Sequence, residues 1–118
     1  MNNLKHQSEW DQLLKKTEED LLYEIGVAIS SDSLAMLPKN KGITRARAEA
    51  WLIHNRVNIC SSPKVRAAVD SPDVYIICAA VADALGGAGA ATAAVLIFKR
   101  GLEKLCKPIW TDTNHKPS

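Results

Sequence analysis

The chain has 118 residues, a formal net charge of +2 at neutral pH and 47% hydrophobic residues. This length supports one domain with its own apolar core, and the near-neutral balance lacks the strongly basic character typical of nucleic-acid-binding proteins. No apolar run follows the first basic residue, so we expect no secretory signal and predict a cytoplasmic location.

The first predicted element is an amphipathic helix from about Ser8 to Ile29. Ser8 and Asp11 have the spacing of a capped helix start. Apolar residues then recur at steps of three and four, which places them on one helix face: Trp10, Leu13, Leu14, Leu21, Ile25 and Ala28. Residues 30–42 are rich in serine, asparagine, proline and glycine, and we expect a connection there.

A second helix is predicted from about Thr44 to Ile59. Its regular apolar stripe is expected to face the core and consists of Ala46, Ala50, Ile53, Val57 and Cys60. A neighbouring stripe is more polar and consists of Arg47, Trp51, His54 and Asn58. Arg45 and Arg56 lie on yet another face, where the helical repeat nearly aligns them.

Two serine-proline pairs predict the next helix starts, because proline at the first helical position gives up an amide that would have no partner there. Ser62-Pro63 opens a short helix over residues 63–69. Ser71-Pro72 opens an apolar helix over residues 72–85.

Residues 74–98 are the least polar segment, with Asp83 as their one acidic residue and a centre of alanine and glycine. Glycines 86, 87 and 89 should break this run, because glycine costs about 1 kcal/mol in a helix interior and commonly ends helices. We predict two helices joined at these glycines, the second running from about Ala88 to Lys107 and ending at Pro108. The apolar character leaves open a hairpin that inserts into a membrane.

The predicted fold is therefore an all-α, single-domain bundle of about five helices. Residues 1–107 form the helical domain and residues 108–118 a polar tail. Its Ala/Gly-rich C-terminal hairpin should pack tightly, since small side chains let helix backbones approach closely. The alanines available for that contact are Ala79, Ala80, Ala82, Ala84, Ala90, Ala91, Ala93 and Ala94. Asp83 is expected to accept hydrogen bonds from amides around residues 86–90.

The three cysteines, Cys60, Cys78 and Cys106, lie in apolar segments without a Cys-x-x-Cys pair. We interpret them as buried free thiols. Zinc held by His54 and these cysteines is the alternative, but no close ligand pair anchors it. We therefore predict no metal. Residues 87–92 lack the third glycine of a dinucleotide-binding turn, so we predict no cofactor either.

No acid, base and nucleophile set suggests catalysis, so the chain is predicted not to be an enzyme, and no small-molecule substrate is inferred. Its best functional clue is uneven charge: residues 39–66 carry seven basic side chains against Glu49 alone. Arginine and tryptophan are enriched at protein contact hot spots. We therefore predict an adaptor, inhibitor or regulatory subunit that binds a protein partner, or itself, through a basic helix.

The predicted partner-binding residues are Arg45, Arg47, Trp51, His54 and Arg56. Nucleic-acid binding by residues 39–66 is the first alternative, since the same cations could contact phosphates and Trp51 could stack on a base. A membrane-active effector built on residues 74–98 is the second alternative.

Overall fold

The computed structural model describes residues 9–30, 41–87 and 89–115, with side chains as far as residue 110. All regular structure in these ranges is helical, so the predicted all-α class is confirmed. Eight helices are found there instead of about five: α1 (residues 9–14), α2 (Glu18–Ile29), α3 (Lys41–His54), α4 (Arg56–Cys60), α5 (Pro63–Ala68), α6 (Val74–Leu85), α7 (Ala90–Arg100) and α8 (Leu102–His115). The expected cap at Ser8 and most of the expected connection over residues 30–42 lie outside the described residues.

The predicted first helix is divided in two, because a second start signal follows α1. The Thr17 hydroxyl accepts a hydrogen bond from the Asp20 amide at 3.1 Å, which caps α2. Acidic residues fill the first turn of α2, where they interact favourably with the positive end of the helix dipole. An ion pair joins Lys16, in the turn between the two helices, to Glu24 of α2.

The predicted second helix is α3 and α4, which meet at Asn55. Helical hydrogen bonding continues across this residue, since the Asn55 amide donates to the Trp51 carbonyl at 3.0 Å and the Ile59 amide to the Asn55 carbonyl at 3.1 Å. The Asn55 side-chain amide also donates to the Trp51 carbonyl, at 2.8 Å. The faces of α3 therefore continue into α4.

The next two helix starts follow their capping side chains. The Ser62 hydroxyl accepts from the Val65 amide at 3.4 Å, and α5 begins at Pro63 as predicted. The apolar helix α6 begins at Val74, two residues later than predicted, because the cap is the Asp73 carboxylate, which accepts from the Tyr75 amide at 2.9 Å.

The predicted last helix is wrong in two respects. Gly101 divides it into α7 and α8. The φ of Gly101 is +105°, a backbone conformation that residues other than glycine rarely adopt. Pro108 does not end the helix but lies inside α8, which continues to His115. A proline inside a helix removes one hydrogen bond of the ladder and its ring clashes with the carbonyl four residues earlier, which kinks a helix but need not end it. Helix α8 is anchored on both sides of Pro108 by Cys106 and Trp110.

The core is built from α2 and α7 together with the inner faces of their neighbours. Helix α2 packs on α3 and α7, α6 packs on α5 and α7, and α8 packs on α4 and α7. The largest fully buried apolar side chains come from five helices: Leu21, Ile25, Ile59, Val65, Val81, Val95 and Leu96. The segment from 95 to 97 is buried without interruption, which explains its continuous apolar sequence.

Helices α6 and α7 are joined by residues 86–89, where all three glycines have positive φ. The alanines predicted for their contact divide between core and surface: Ala90, Ala93 and Ala94 are buried, whereas Ala79 and Ala91 are exposed. No hydrogen bond to Asp83 from the described amides of the glycine turn is formed, contrary to the prediction. Its carboxylate is exposed and accepts from the Lys64 ammonium at 3.0 Å, which connects α6 to α5.

The prediction of three free thiols is wrong, because Cys60 and Cys106 form a disulfide that joins α4 to α8. The pairing crosses 46 positions in sequence, and such connectivity cannot be deduced from cysteine spacing. Cys78 is free and buried, and burial raises the pKa of its thiol to about 12. The zinc alternative loses two of its ligands to the disulfide, and the described residues contain no group of three metal ligands.

Candidate docking surface on α3 and α4

The stripe predicted to face the core is mostly on the surface. Ile53 and Val57 are each 60% exposed, and Ala46 and Ala50 are exposed as well. Of that predicted stripe, only Cys60 is buried. Helix α3 instead buries a less apolar stripe, in which four-residue steps connect Thr44, Ala48 and Leu52.

A close contact between α2 and α3 explains this register. A Cβ added to Gly26 of α2 would lie 2.3 Å from the carbonyl oxygen of Thr44 and 2.4 Å from its methyl carbon. The two backbones therefore meet at Gly26, where no side chain keeps them apart. With Thr44 turned toward α2, the helical repeat turns Ala48 and Leu52 inward and Ile53 outward.

We call the exposed apolar residues of α3 and α4 the outward strip. By the helical repeat its members fall within about 80° of one another around the axis, and they are Ile43, Ala46, Ala50, Ile53 and Val57. Three of the four most exposed large hydrophobic side chains in the described residues belong to it. A contiguous apolar surface of this kind is typical of an interaction site.

The predicted binding residues flank the outward strip on two sides and do not form one patch. Arg47 and His54 are exposed along one edge, whereas Arg45 and Arg56 are half-buried along the opposite edge. Trp51 is half-buried and packs against the core, so its indole contributes to folding as well as to the surface. The flanking cations agree with the prediction, whereas Ala46, Ala50, Ile53 and Val57 of the strip are predicted from periodicity to face the core and do not.

The one acidic residue of α3, Glu49, is neutralised within the fold. Both of its carboxylate oxygens accept from the Arg100 guanidinium at 2.8 Å, and Glu18 of α2 accepts from the same arginine at 3.2 Å. The hydrogen bonds from Arg100 lower the pKa of Glu49, so the carboxylate stays ionised at neutral pH. Among the described residues no carboxylate forms an ion pair with Arg45, Arg47 or Arg56.

A groove of about 280 Å³ adjoins the strip, where α3 and α4 meet α7 and α8. Leu52, Ile97 and Leu105 contribute apolar walls, and Arg56 and Lys104 contribute cations. The Nε atom of Arg56 is shielded from solvent and has no hydrogen-bond acceptor within the described part of the chain. The groove therefore combines apolar walls with two cations that form no ion pair with a carboxylate of the described residues.

A wider groove of about 720 Å³ lies between α5 and α6 and is lined largely by alanines. Its cation, Lys64, is already paired with Asp83. This groove offers apolar area but no uncompensated charge, so the α3 and α4 surface is the stronger candidate site.

Comparison with known protein families, curated proteins and solved structures found no match to this chain. None of the helices in the described ranges is both long and apolar enough to cross a bilayer.

Proposed function

We propose that the chain is a non-enzymatic interaction module, an adaptor, inhibitor or regulatory subunit, that docks a partner protein on the outward strip. The observation that carries the proposal is an apolar strip at helical spacing, exposed at Ile53 and Val57 and flanked by arginines on both edges. An apolar centre with a polar, charged rim is the usual anatomy of a protein interface.

The partner we propose is an amphipathic helix with an apolar stripe and acidic flanks. Glu49 is occupied by Arg100, and no other carboxylate of the described residues pairs with the arginines that border the strip. Two copies would bring like charges together when their strips met, which disfavours self-association through this face. An acidic helix would place its apolar stripe on the strip and its carboxylates beside Arg47 and Arg56.

The two alternatives from the sequence have less support. Nucleic-acid binding needs cations at the centre of the surface to contact phosphates, whereas the centre here is apolar, and Trp51 is partly occupied by core contacts. Membrane insertion of residues 74–98 would have to expose Val95, Leu96 and Ile97, which are buried in the fold. The disulfide also favours an oxidising compartment over the predicted cytoplasmic location.

The proposal is tested with two synthetic helical peptides of about 18 residues, each with leucines at positions i, i+3, i+4 and i+7. One peptide carries glutamate beside the leucine stripe and the other carries lysine there, with alanine at the remaining positions so that both peptides stay helical. We expect the glutamate peptide to bind and the lysine peptide not to bind. Replacing Ile53 and Val57 together with serine should weaken the glutamate complex at least about tenfold, because burying each aliphatic side chain contributes about 1.5–3 kcal/mol. Isothermal titration calorimetry measures the affinities.

The matched control is Ile76→Ser, which removes a 52% exposed isoleucine from α6, away from the strip. It should leave peptide binding unchanged, and both variants should keep the helicity and melting temperature of the parent. Failure of the parent to bind the glutamate peptide, or equal binding by the lysine peptide, would contradict the proposal. So would a dimer in sedimentation that the Ile53 and Val57 double variant abolishes, since a second copy would then occupy the strip.

A further inference from the structure

The groove beside the outward strip has the features of a small-ligand site. Its volume of about 280 Å³ is close to the lower end of the range for small-molecule pockets, roughly 300–1,000 Å³. It exists because the chain bends between α7 and α8 at Gly101, which lines the groove without a side chain to fill it. Leu52, Ile97 and Leu105 give it an apolar interior.

The charges that line the groove are unbalanced. Arg56, Arg100 and Lys104 face one carboxylate, that of Glu49. Glu49 and Arg100 already satisfy each other through two hydrogen bonds of 2.8 Å. No carboxylate within the described ranges forms an ion pair with Arg56 or Lys104, so these two cations remain for a ligand.

The Arg56 guanidinium shows where a ligand would bind. Its Nε is buried and lacks an acceptor among the described residues. Buried donors in folded proteins nearly always have a partner, so an orphaned one needs an explanation. The Nε itself is closed to solvent, but the Arg56 side chain as a whole is half-buried and lines the groove. Because guanidinium groups present paired donors that match the geometry of a carboxylate, a carboxylate in the groove can accept from the remaining N–H groups of Arg56.

We propose that the groove binds a small amphipathic carboxylic acid, of the class of medium-chain fatty acids. The carboxylate accepts hydrogen bonds from Arg56 and pairs with Lys104, while the hydrocarbon chain packs against Leu52, Ile97 and Leu105. A phosphate dianion fits less well, because it would bring a second negative charge toward Glu49 and leave the apolar walls uncovered. This site does not rest on the proposed protein docking, although Ile53 and Arg56 contribute to both surfaces.

Octanoate is the probe, and octanol and octylamine of the same chain length are the comparison ligands. Calorimetric titration of the full chain should detect octanoate binding, with octanol at least about tenfold weaker, because a charge-assisted hydrogen bond is lost. Octylamine should show no binding. Equal affinity for octanoate and octanol would overturn the proposal, since the hydrocarbon alone would then account for binding, and absence of octanoate binding would also overturn it.

Variants locate the site. Arg56→Gln should weaken octanoate at least about tenfold, and Lys104→Gln, at an exposed position, should weaken it severalfold. Lys107→Gln is the matched control, since Lys107 is exposed on the same helix but does not line the groove. If Arg56→Gln does not fold, Arg56→Lys keeps the charge without the paired donors and should show an intermediate affinity. Unchanged affinity in the folded Arg56 variant, or an equal loss in Lys107→Gln, would contradict the assignment.

Discussion

Replacing Gly26 with alanine is expected to destabilise the fold by about 3 kcal/mol, although alanine is the better helix former. Helix propensity alone predicts a gain of about 1 kcal/mol for this change. The new Cβ, however, would lie 2.3 Å from the Thr44 carbonyl oxygen, a backbone atom that cannot rotate away. Helices α2 and α3 would have to separate, which would loosen the packing of Thr44, Ala48 and Leu52, the buried residues of α3.

Urea denaturation of Gly26→Ala and the parent chain measures this effect. Gly42→Ala is the matched control, because it makes the same change at an exposed position in the first turn of α3 and should be neutral or mildly stabilising. Adding Thr44→Ala to Gly26→Ala removes the methyl clash at 2.4 Å but keeps the carbonyl clash, so partial recovery is expected. A Gly26→Ala chain more stable than its parent would show that the two backbones do not meet here.

Removing the Cys60–Cys106 disulfide is expected to cost about 2–4 kcal/mol. The bond closes a loop with a sequence separation of 46, and its loss gives the unfolded chain more conformations. Helix α8 keeps a second attachment to α4, since the Trp110 indole donates to the Cys60 carbonyl at 2.8 Å. The Arg66 guanidinium also lies 5.1 Å from the Trp110 ring centroid. We therefore expect a weakened fold rather than an unfolded one.

Thermal melts with and without reductant, on the parent and on the Cys60→Ser and Cys106→Ser double variant, test this prediction. The parent should lose stability on reduction, whereas the double variant should be insensitive to reductant. Cys78→Ala is the control, because Cys78 is outside the disulfide and its removal should preserve the response to reductant. Three reactive thiols in the denatured, unreduced chain would contradict the pairing and restore the cytoplasmic prediction.

Local signals predicted much of this fold. Apolar periodicity indicated helices throughout, and Ser62-Pro63 marked the start of α5, because capping depends on neighbouring residues alone. The same kind of signal at Thr17 and Asp73 defines two further starts. The helix break at Gly101 is harder to predict, because a single glycine inside a helical pattern is often tolerated.

Tertiary contacts decided what the sequence left open. The stripe containing Ile53 and Val57 is more apolar than the one containing Thr44 and Leu52, so hydrophobicity favoured the wrong face. The contact between Gly26 and Thr44 reverses that preference, and periodicity within α3 carries no information about it. The partner of Glu49 is still more distant in sequence, since Arg100 lies 51 positions away. The cations predicted to bind a partner could therefore be identified from composition, but their arrangement around an exposed apolar strip could not.

The register of α3 is the claim on which both proposed sites depend, and a pair of adjacent substitutions tests it most directly. Leu52 is 4% exposed and Ile53 is 60% exposed. Thermal denaturation should show that Leu52→Asp unfolds the chain or lowers its melting temperature severely, because a charge is buried in the core, whereas Ile53→Asp melts close to the parent. The reverse result, a tolerated aspartate at Leu52 and an unfolded Ile53→Asp chain, would place the strip in the interior and contradict the account.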